Sequence, residues 1–102
     1  MSSRKVVRLS DWEVKAIKDI AEEVFGEGTR VFLFGSRTDP KRKGGDIDLY
    51  IIPANMENLF DKRIKFLSKL KLRIGDQKID LVLQEDPQRL IEREAMETGV
   101  EL

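Results

Sequence analysis

The sequence predicts a small α/β (α+β) domain in which helices pack on a mixed β-sheet. Apolar residues recur at helical spacing in three segments, and these alternate with short β-branched and aromatic runs in the order α-β-β-α-β-α. The helix between the second and third strands suits a crossover connection. With 102 residues the chain has room for one core, so we expect a single domain over 1–102.

The first half of the chain predicts one helix and two strands. Ser10, with Glu13 three residues later, has the spacing of a capping box, and Gly26 supplies a helix stop. Two apolar runs follow, TRVFLF and DIDLYII, and both are rich in strand-forming residues. The predicted elements are a helix from Ser10 to Gly26, strands over 29–34 and 46–52, and a loop over 37–45.

The second half predicts a long helix, a strand and a final helix. The long helix covers 55–74, and Phe66 falls outside its main apolar face. The strand covers 78–84, and Asp86-Pro87 is expected to cap a last helix that ends near Thr98. The apolar face predicted for the long helix consists of Leu59, Phe60, Ile64, Leu67, Leu70 and Ile74.

The composition excludes several classes of protein. There is no Cys and no His, which excludes disulfide scaffolds, zinc fingers, thiol nucleophiles and histidine acid–base catalysis. The 19 basic and 19 acidic residues balance, and this argues against a protein that coats nucleic acid. The chain has neither an apolar run of membrane-spanning length nor a signal-like N-terminus, so a soluble cytoplasmic protein is expected.

Three carboxylates stand in predicted strands, where Asp is depleted. Asp46 and Asp48 share one face of the second strand with Tyr50, and Asp80 stands in the third strand among apolar residues. Such a cluster is costly unless a cation compensates it, and all-oxygen ligands favour magnesium or manganese. The alternative is structural: Asp46 as a turn residue, and Asp48 and Asp80 as exposed carboxylates.

A Gly-Ser pair adds a second element, at the end of the first strand. Gly35 and Ser36 can present backbone N–H groups and a hydroxyl to phosphate, with Arg37 as a further candidate phosphate ligand. Together with Asp46-x-Asp48, the stretch FGSRTDPKRKGGDIDLYI resembles the signature of the DNA polymerase beta-like nucleotidyltransferase superfamily. The chain looks like its stand-alone minimal branch.

The resemblance implies a nucleotidyltransferase fold and a two-metal reaction on a nucleoside triphosphate. Asp46, Asp48 and Asp80 would hold Mg²⁺ or Mn²⁺, and Gly35 and Ser36 would bind the outer phosphates. The acceptor hydroxyl would attack the α-phosphate and release pyrophosphate. ATP is the donor that the resemblance implies.

The resemblance also implies a partner, because stand-alone members of this branch are commonly antitoxins paired with HEPN-type toxins. The reaction would then transfer AMP to a hydroxyl of that toxin. The chain has no second domain that could bind an acceptor, which agrees with an acceptor on another protein. The alternative is a non-catalytic antitoxin or adaptor that acts by contact. Direct nucleic-acid binding is disfavoured by the zero net charge and by the lack of a nucleic-acid motif.

Overall fold

The computed structural model describes residues 9–34, 46–75, 77–85 and 88–102. It confirms the α/β class with a mixed sheet and three helices. Ser10 caps the first helix through the predicted capping box with Glu13. In chain order the elements are α1 (Asp11–Phe25), β1 (Arg30–Phe34), β2 (Asp46–Ile52), α2 (Leu59–Ile74), β3 (Lys78–Leu83), α3 (Leu90–Thr98) and β4 (Val100–Glu101).

The four strands form one sheet in the order β3-β2-β1-β4. β1 is antiparallel to both of its neighbours, whereas β2 and β3 are parallel, as a crossover through α2 requires. Asp48 pairs with Asp80 on β3 and with Phe34 on β1, and in the next row of that face Tyr50 pairs with Val82. These registers place β2 at the centre of the candidate site.

The helices cover the two faces of the sheet unequally. One face carries the main core, in which α1 and α2 pack on the inward side chains of β1, β2 and β3. The other face carries a smaller cluster in which Phe32, Tyr50 and Ala95 are buried together, with Ala95 contributed by α3. The rings of Phe32 and Tyr50 lie 6.1 Å apart, centroid to centroid. Because α3 has only nine residues, it covers only part of this second face.

The long helix begins at Leu59, four residues after its predicted start at residue 55. The backbone before it forms tertiary hydrogen bonds. The Ala54 N–H donates to Thr29 Oγ1, and the Asn55 N–H donates to the Phe25 carbonyl at the end of α1. These bonds tie the chain after β2 to the turn after α1. The later start follows from Asn58, whose left-handed backbone (φ 53°, ψ 42°) a right-handed helix from residue 55 could not contain.

The buried side of α2 also differs from the predicted apolar face. Phe66, expected outside that face, is fully buried and stacks against Phe25 at 5.6 Å between ring centroids. Phe60 and Ile64, expected in the core, are 74% and 51% exposed. Apolar residues occupy more of the circumference of α2 than the sheet and α1 can cover, so periodicity alone could not tell which of them are buried.

The C-terminal segment adds a strand that the sequence did not predict. Val100–Glu101 pairs with β1, beside a glycine with no room for a side chain. A Cβ added at Gly99 would lie 2.2 Å from the Ala95 carbonyl oxygen, so only glycine fits between α3 and β4. The last helix begins at Leu90 with Arg89 at its N-cap, rather than at the predicted Asp86 cap. Residues 86 and 87 lie outside the described residues.

None of the helices described here is long and apolar enough to cross a membrane.

Candidate functional site

Asp48 and Asp80 are brought together by the pairing of β2 with β3. They are direct partners in the parallel register, so they point to the same face of neighbouring strands, which lie about 4.8 Å apart. Asp80 is exposed and Asp48 is half-buried, and Asp48 has a polar partner of its own. Two carboxylates that the sequence separates by 31 residues thus lie side by side on an accessible surface.

Asp46 lies two residues before Asp48 on the same strand. Its backbone pairs with Lys78, two positions before the Asp48–Asp80 pair in the same ladder. The other predicted site residues, Gly35, Ser36 and Arg37, lie outside the described residues, as does the side chain of Asp46. Their roles remain predictions.

Within the part of the chain that the structure describes, no three His, Cys, Asp or Glu side chains come together as a group that could hold a metal ion. The described residues include the side chains of Asp48 and Asp80 but not that of Asp46, so the predicted triad stays a prediction. The donor set itself fits a hard cation, because carboxylate oxygens are the ligands that magnesium and manganese prefer.

Helix α3 covers only part of the sheet face that carries Asp48 and Asp80, and the exposed part begins at the row of these two residues. Tyr50, in the row next to Asp48, is 1% exposed beneath α3. In the row of the two aspartates, Asp80 is exposed and Phe34 is only partly buried. The position of α3 therefore leaves the carboxylate row accessible while it closes the row behind it.

A buried carboxylate holds α3 in that position. Glu92 is 0% exposed and accepts hydrogen bonds from the Tyr50 hydroxyl (2.9 Å), the Arg89 Nε (2.8 Å) and the Glu85 N–H (3.0 Å). One side chain of α3 thus joins β2, the end of β3 and its own helix start. Its three donors belong to separate segments. Loss of the carboxylate would therefore remove the contacts that join α3 to β2 and to the end of β3.

Glu92 was not among the residues that the sequence singled out. Helical periodicity is judged from apolar residues, and a glutamate is expected on the exposed side because charged residues are almost never fully buried unless they are paired. The residue that could have indicated a buried polar partner is Tyr50. A tyrosine that shares a strand face with other packed side chains needs a partner for its hydroxyl when a helix covers it.

The environment of Tyr50 perturbs its ionisation. Burial, and next the hydrogen bond to the Glu92 carboxylate, raise the pKa of Tyr50 to about 12. The same group in the unfolded chain titrates near pH 10. A raised pKa in the folded state means stabilisation that is fully present below pH 10 and lost as the pH rises towards 12. The difference corresponds to about 2–3 kcal/mol of unfolding free energy.

We therefore expect the tyrosinate absorbance of the native protein to appear with a midpoint near pH 12, and near pH 10 in denaturant. Tyr50 is the only tyrosine of the chain, so the ultraviolet titration reports this one hydroxyl. Circular dichroism on the same samples follows the expected loss of stability above pH 10. A native midpoint near pH 10 would contradict the buried Tyr50–Glu92 contact.

Comparison with protein families agrees with this geometry. A family model described as polymerase beta, nucleotidyltransferase matches residues 15–102, which include β1, β2, β3 and the three aspartates. Proteins of curated function give no match to the chain. The fold, the paired carboxylates and the extent of the family match lead to one conclusion: the chain belongs to the polymerase beta nucleotidyltransferase family.

Proposed function

We propose that the chain transfers a nucleoside monophosphate, AMP from ATP, to a hydroxyl on a separate protein. Membership of the family indicates nucleotidyl transfer in general and a nucleotide substrate. The observation that carries the finer proposal is the Asp48–Asp80 pair, an accessible carboxylate couple on adjacent strands. The backbone of Asp46 pairs two positions earlier in the same ladder, which agrees with the prediction from the sequence that Asp46 joins this pair.

The proposed site would use divalent metal, Mg²⁺ or Mn²⁺, held by Asp46, Asp48 and Asp80. When bound, such ions neutralise the triphosphate and align the reacting oxygens. Asp48 pairs directly with Asp80, and the sequence predicts Asp46 on the same face of its strand, so we assign Asp48 the role of connecting the other two. Gly35, Ser36 and Arg37 would bind the outer phosphates, as the sequence predicts.

The transfer is a single displacement at the α-phosphorus. The acceptor oxygen bonds to that phosphorus, the bond to the oxygen bridging towards the β-phosphate breaks, and pyrophosphate leaves. The proton of the hydroxyl passes to Asp80, the exposed member of the pair and therefore the one open to an acceptor. In phosphoryl transfer most of the catalysis is positioning and charge neutralisation, which a cluster of carboxylates and cations can supply.

The partner that we propose is a HEPN-type toxin, for which this chain would act as the antitoxin. The support is the family resemblance together with the shape of the described chain. The three strands of the site carry two helices on one face and the short α3 on the other. The accessible row formed by Asp48 and Asp80 suits a macromolecular acceptor that brings its own surface.

The test is incubation of the protein with α-labelled ATP, magnesium and the HEPN-type product of an adjacent gene. We expect wild-type protein to label the partner on a hydroxyl and Asp80→Ala to leave it unlabelled. Glu57→Ala is the matched control, because Glu57 is an exposed carboxylate before α2 and outside the site. It should label the partner as wild type does.

The same experiment separates catalysis from contact. If Asp80→Ala neutralises the partner as well as wild type does, and neither protein transfers label, the transferase proposal fails. The chain would then be a binding module that acts by contact.

A further inference from the structure

The exposed side of β3 begins with a lysine. Lys78 and Asp80 are exposed, and Ile79 and Leu81, which alternate with them along the strand, are buried. Lys78 therefore belongs to the same sheet face as Asp80, and the two residues are about 6.6 Å apart along the strand. This face is the one that carries the candidate site.

The strand register places Lys78 at the start of the ladder that forms the site. Its backbone pairs with that of Asp46, and the Asp48–Asp80 pair follows two positions later. Phe34 extends the row of the two aspartates onto β1. Among the described side chains of these two rows, Lys78 is the only cation.

The chemistry of this side chain suits a phosphate. A lysine carries its ammonium on a flexible four-carbon stem and has three N–H donors, and it binds phosphate as a point charge. Lys78 already takes part in an interaction within the chain. Pairs of exposed charged side chains contribute little to stability, so an incoming phosphate can replace such a partner at small cost.

The order of the strands indicates which phosphate would lie nearest to Lys78. β1 ends at Phe34, and Gly35 and Ser36, the predicted ligands of the outer phosphates, follow it in the chain. β3 lies on the opposite side of β2. In the proposed displacement the α-phosphorus is between the leaving pyrophosphate and the acceptor oxygen, whose proton passes to Asp80. The α-phosphate would therefore be the phosphate on the β3 side.

We propose that the ammonium of Lys78 binds a non-bridging oxygen of the α-phosphate and stabilises the negative charge on it during transfer. This role rests on the nucleotidyl transfer proposed above. Lys78 forms no covalent bond and keeps its proton, so the bonds made and broken remain those at phosphorus. A cation beside the reacting phosphate acts by electrostatic stabilisation, which is the main source of catalysis in phosphoryl transfer.

Binding of α,β-methylene-ATP with magnesium tests the contact without turnover, because the methylene group blocks the transfer. We expect Lys78→Met to weaken this binding by roughly 10- to 100-fold, the effect of losing a hydrogen bond to a charged group. Lys78→Arg should recover most of the affinity, since a guanidinium also binds phosphate. The matched control is Lys71→Met. Lys71 is exposed on α2, which packs on the other face of the sheet, so this variant should bind as wild type does.

Inorganic pyrophosphate identifies the phosphate that Lys78 contacts. It contains only the leaving part of the triphosphate, so its affinity in calorimetric titration should be the same for wild type and for Lys78→Met. Equal losses of affinity for pyrophosphate and for the methylene analogue would assign Lys78 to the outer phosphates and overturn the proposal.

Transfer of label from ATP should fall in Lys78→Met and recover in Lys78→Arg. If Lys78→Met binds the analogue as tightly as wild type does, the role of Lys78 is overturned while the proposed function stands. If wild-type protein does not bind the analogue with magnesium, the proposed function fails together with this role.

Discussion

Glu92→Ala is expected to lower the unfolding free energy by about 2–4 kcal/mol, because the buried Tyr50 hydroxyl loses its acceptor and the deleted side chain leaves a gap beneath α3. The variant leaves the Tyr50 hydroxyl, the Arg89 guanidinium and the Glu85 N–H without their shared acceptor, in a region where Glu92 is 0% exposed. A domain of this size has roughly 5–15 kcal/mol of stability in total. The loss should be visible at once in urea denaturation followed by circular dichroism.

The matched control is Glu94→Ala, two residues along the same helix. Glu94 is exposed, so its replacement should change the unfolding free energy by no more than about 0.5 kcal/mol. Tyr50→Phe provides a second comparison, because it removes one donor and leaves Glu92 with the other two. We expect it to cost less than Glu92→Ala. Equal stabilities for Glu92→Ala and Glu94→Ala would show that the network does not hold α3.

Asp48→Asn is expected to abolish both nucleotidyl transfer and the stabilisation of the protein by magnesium with a nucleoside triphosphate. A ligand that binds only the folded state at a hundredfold excess over its Kd adds about 2.7 kcal/mol. For a domain of this length that corresponds to an increase in Tm on the order of 10 °C. The amide keeps the shape of the side chain but removes one of the paired carboxylates, so the increase should disappear.

The unliganded protein supplies the control for this substitution. Asp48→Asn also relieves the repulsion between Asp48 and Asp80, so we expect the Tm without ligand to stay the same or to rise slightly. Thermal scans with and without magnesium and ATP measure both effects on one sample. A large loss of stability in the absence of ligand would instead make Asp48 a structural residue.

The sequence was sufficient for the elements with strong local signals. The Ser10–Glu13 capping box, the helix stop at Gly26 and the strand over Asp46–Ile52 all lie where the residues predicted them. These features depend on contacts within a few residues of each other. The crossover through α2 also followed from chain order, because two strands joined by a helix are parallel in one sheet.

The sequence alone also determined the kind of chemistry that is open to this chain. Without His or Cys, carboxylates were the main candidate ligands, and Asp46, Asp48 and Asp80 stood out because Asp is unusual in strands. The structure added the register, which makes Asp48 and Asp80 direct partners. Strand alternation predicts the face of each residue but says nothing of which residue lies beside it on the next strand.

Only the tertiary structure decided which apolar and charged side chains are buried. Phe66 is buried and Phe60 exposed because the position of α2 on the sheet, rather than its periodicity, selects the buried side. Glu92 is buried because Tyr50, Arg89 and the end of β3 meet around it. Local patterns depend on neighbours in the chain, whereas burial depends on where distant segments meet, and that requires the folded arrangement.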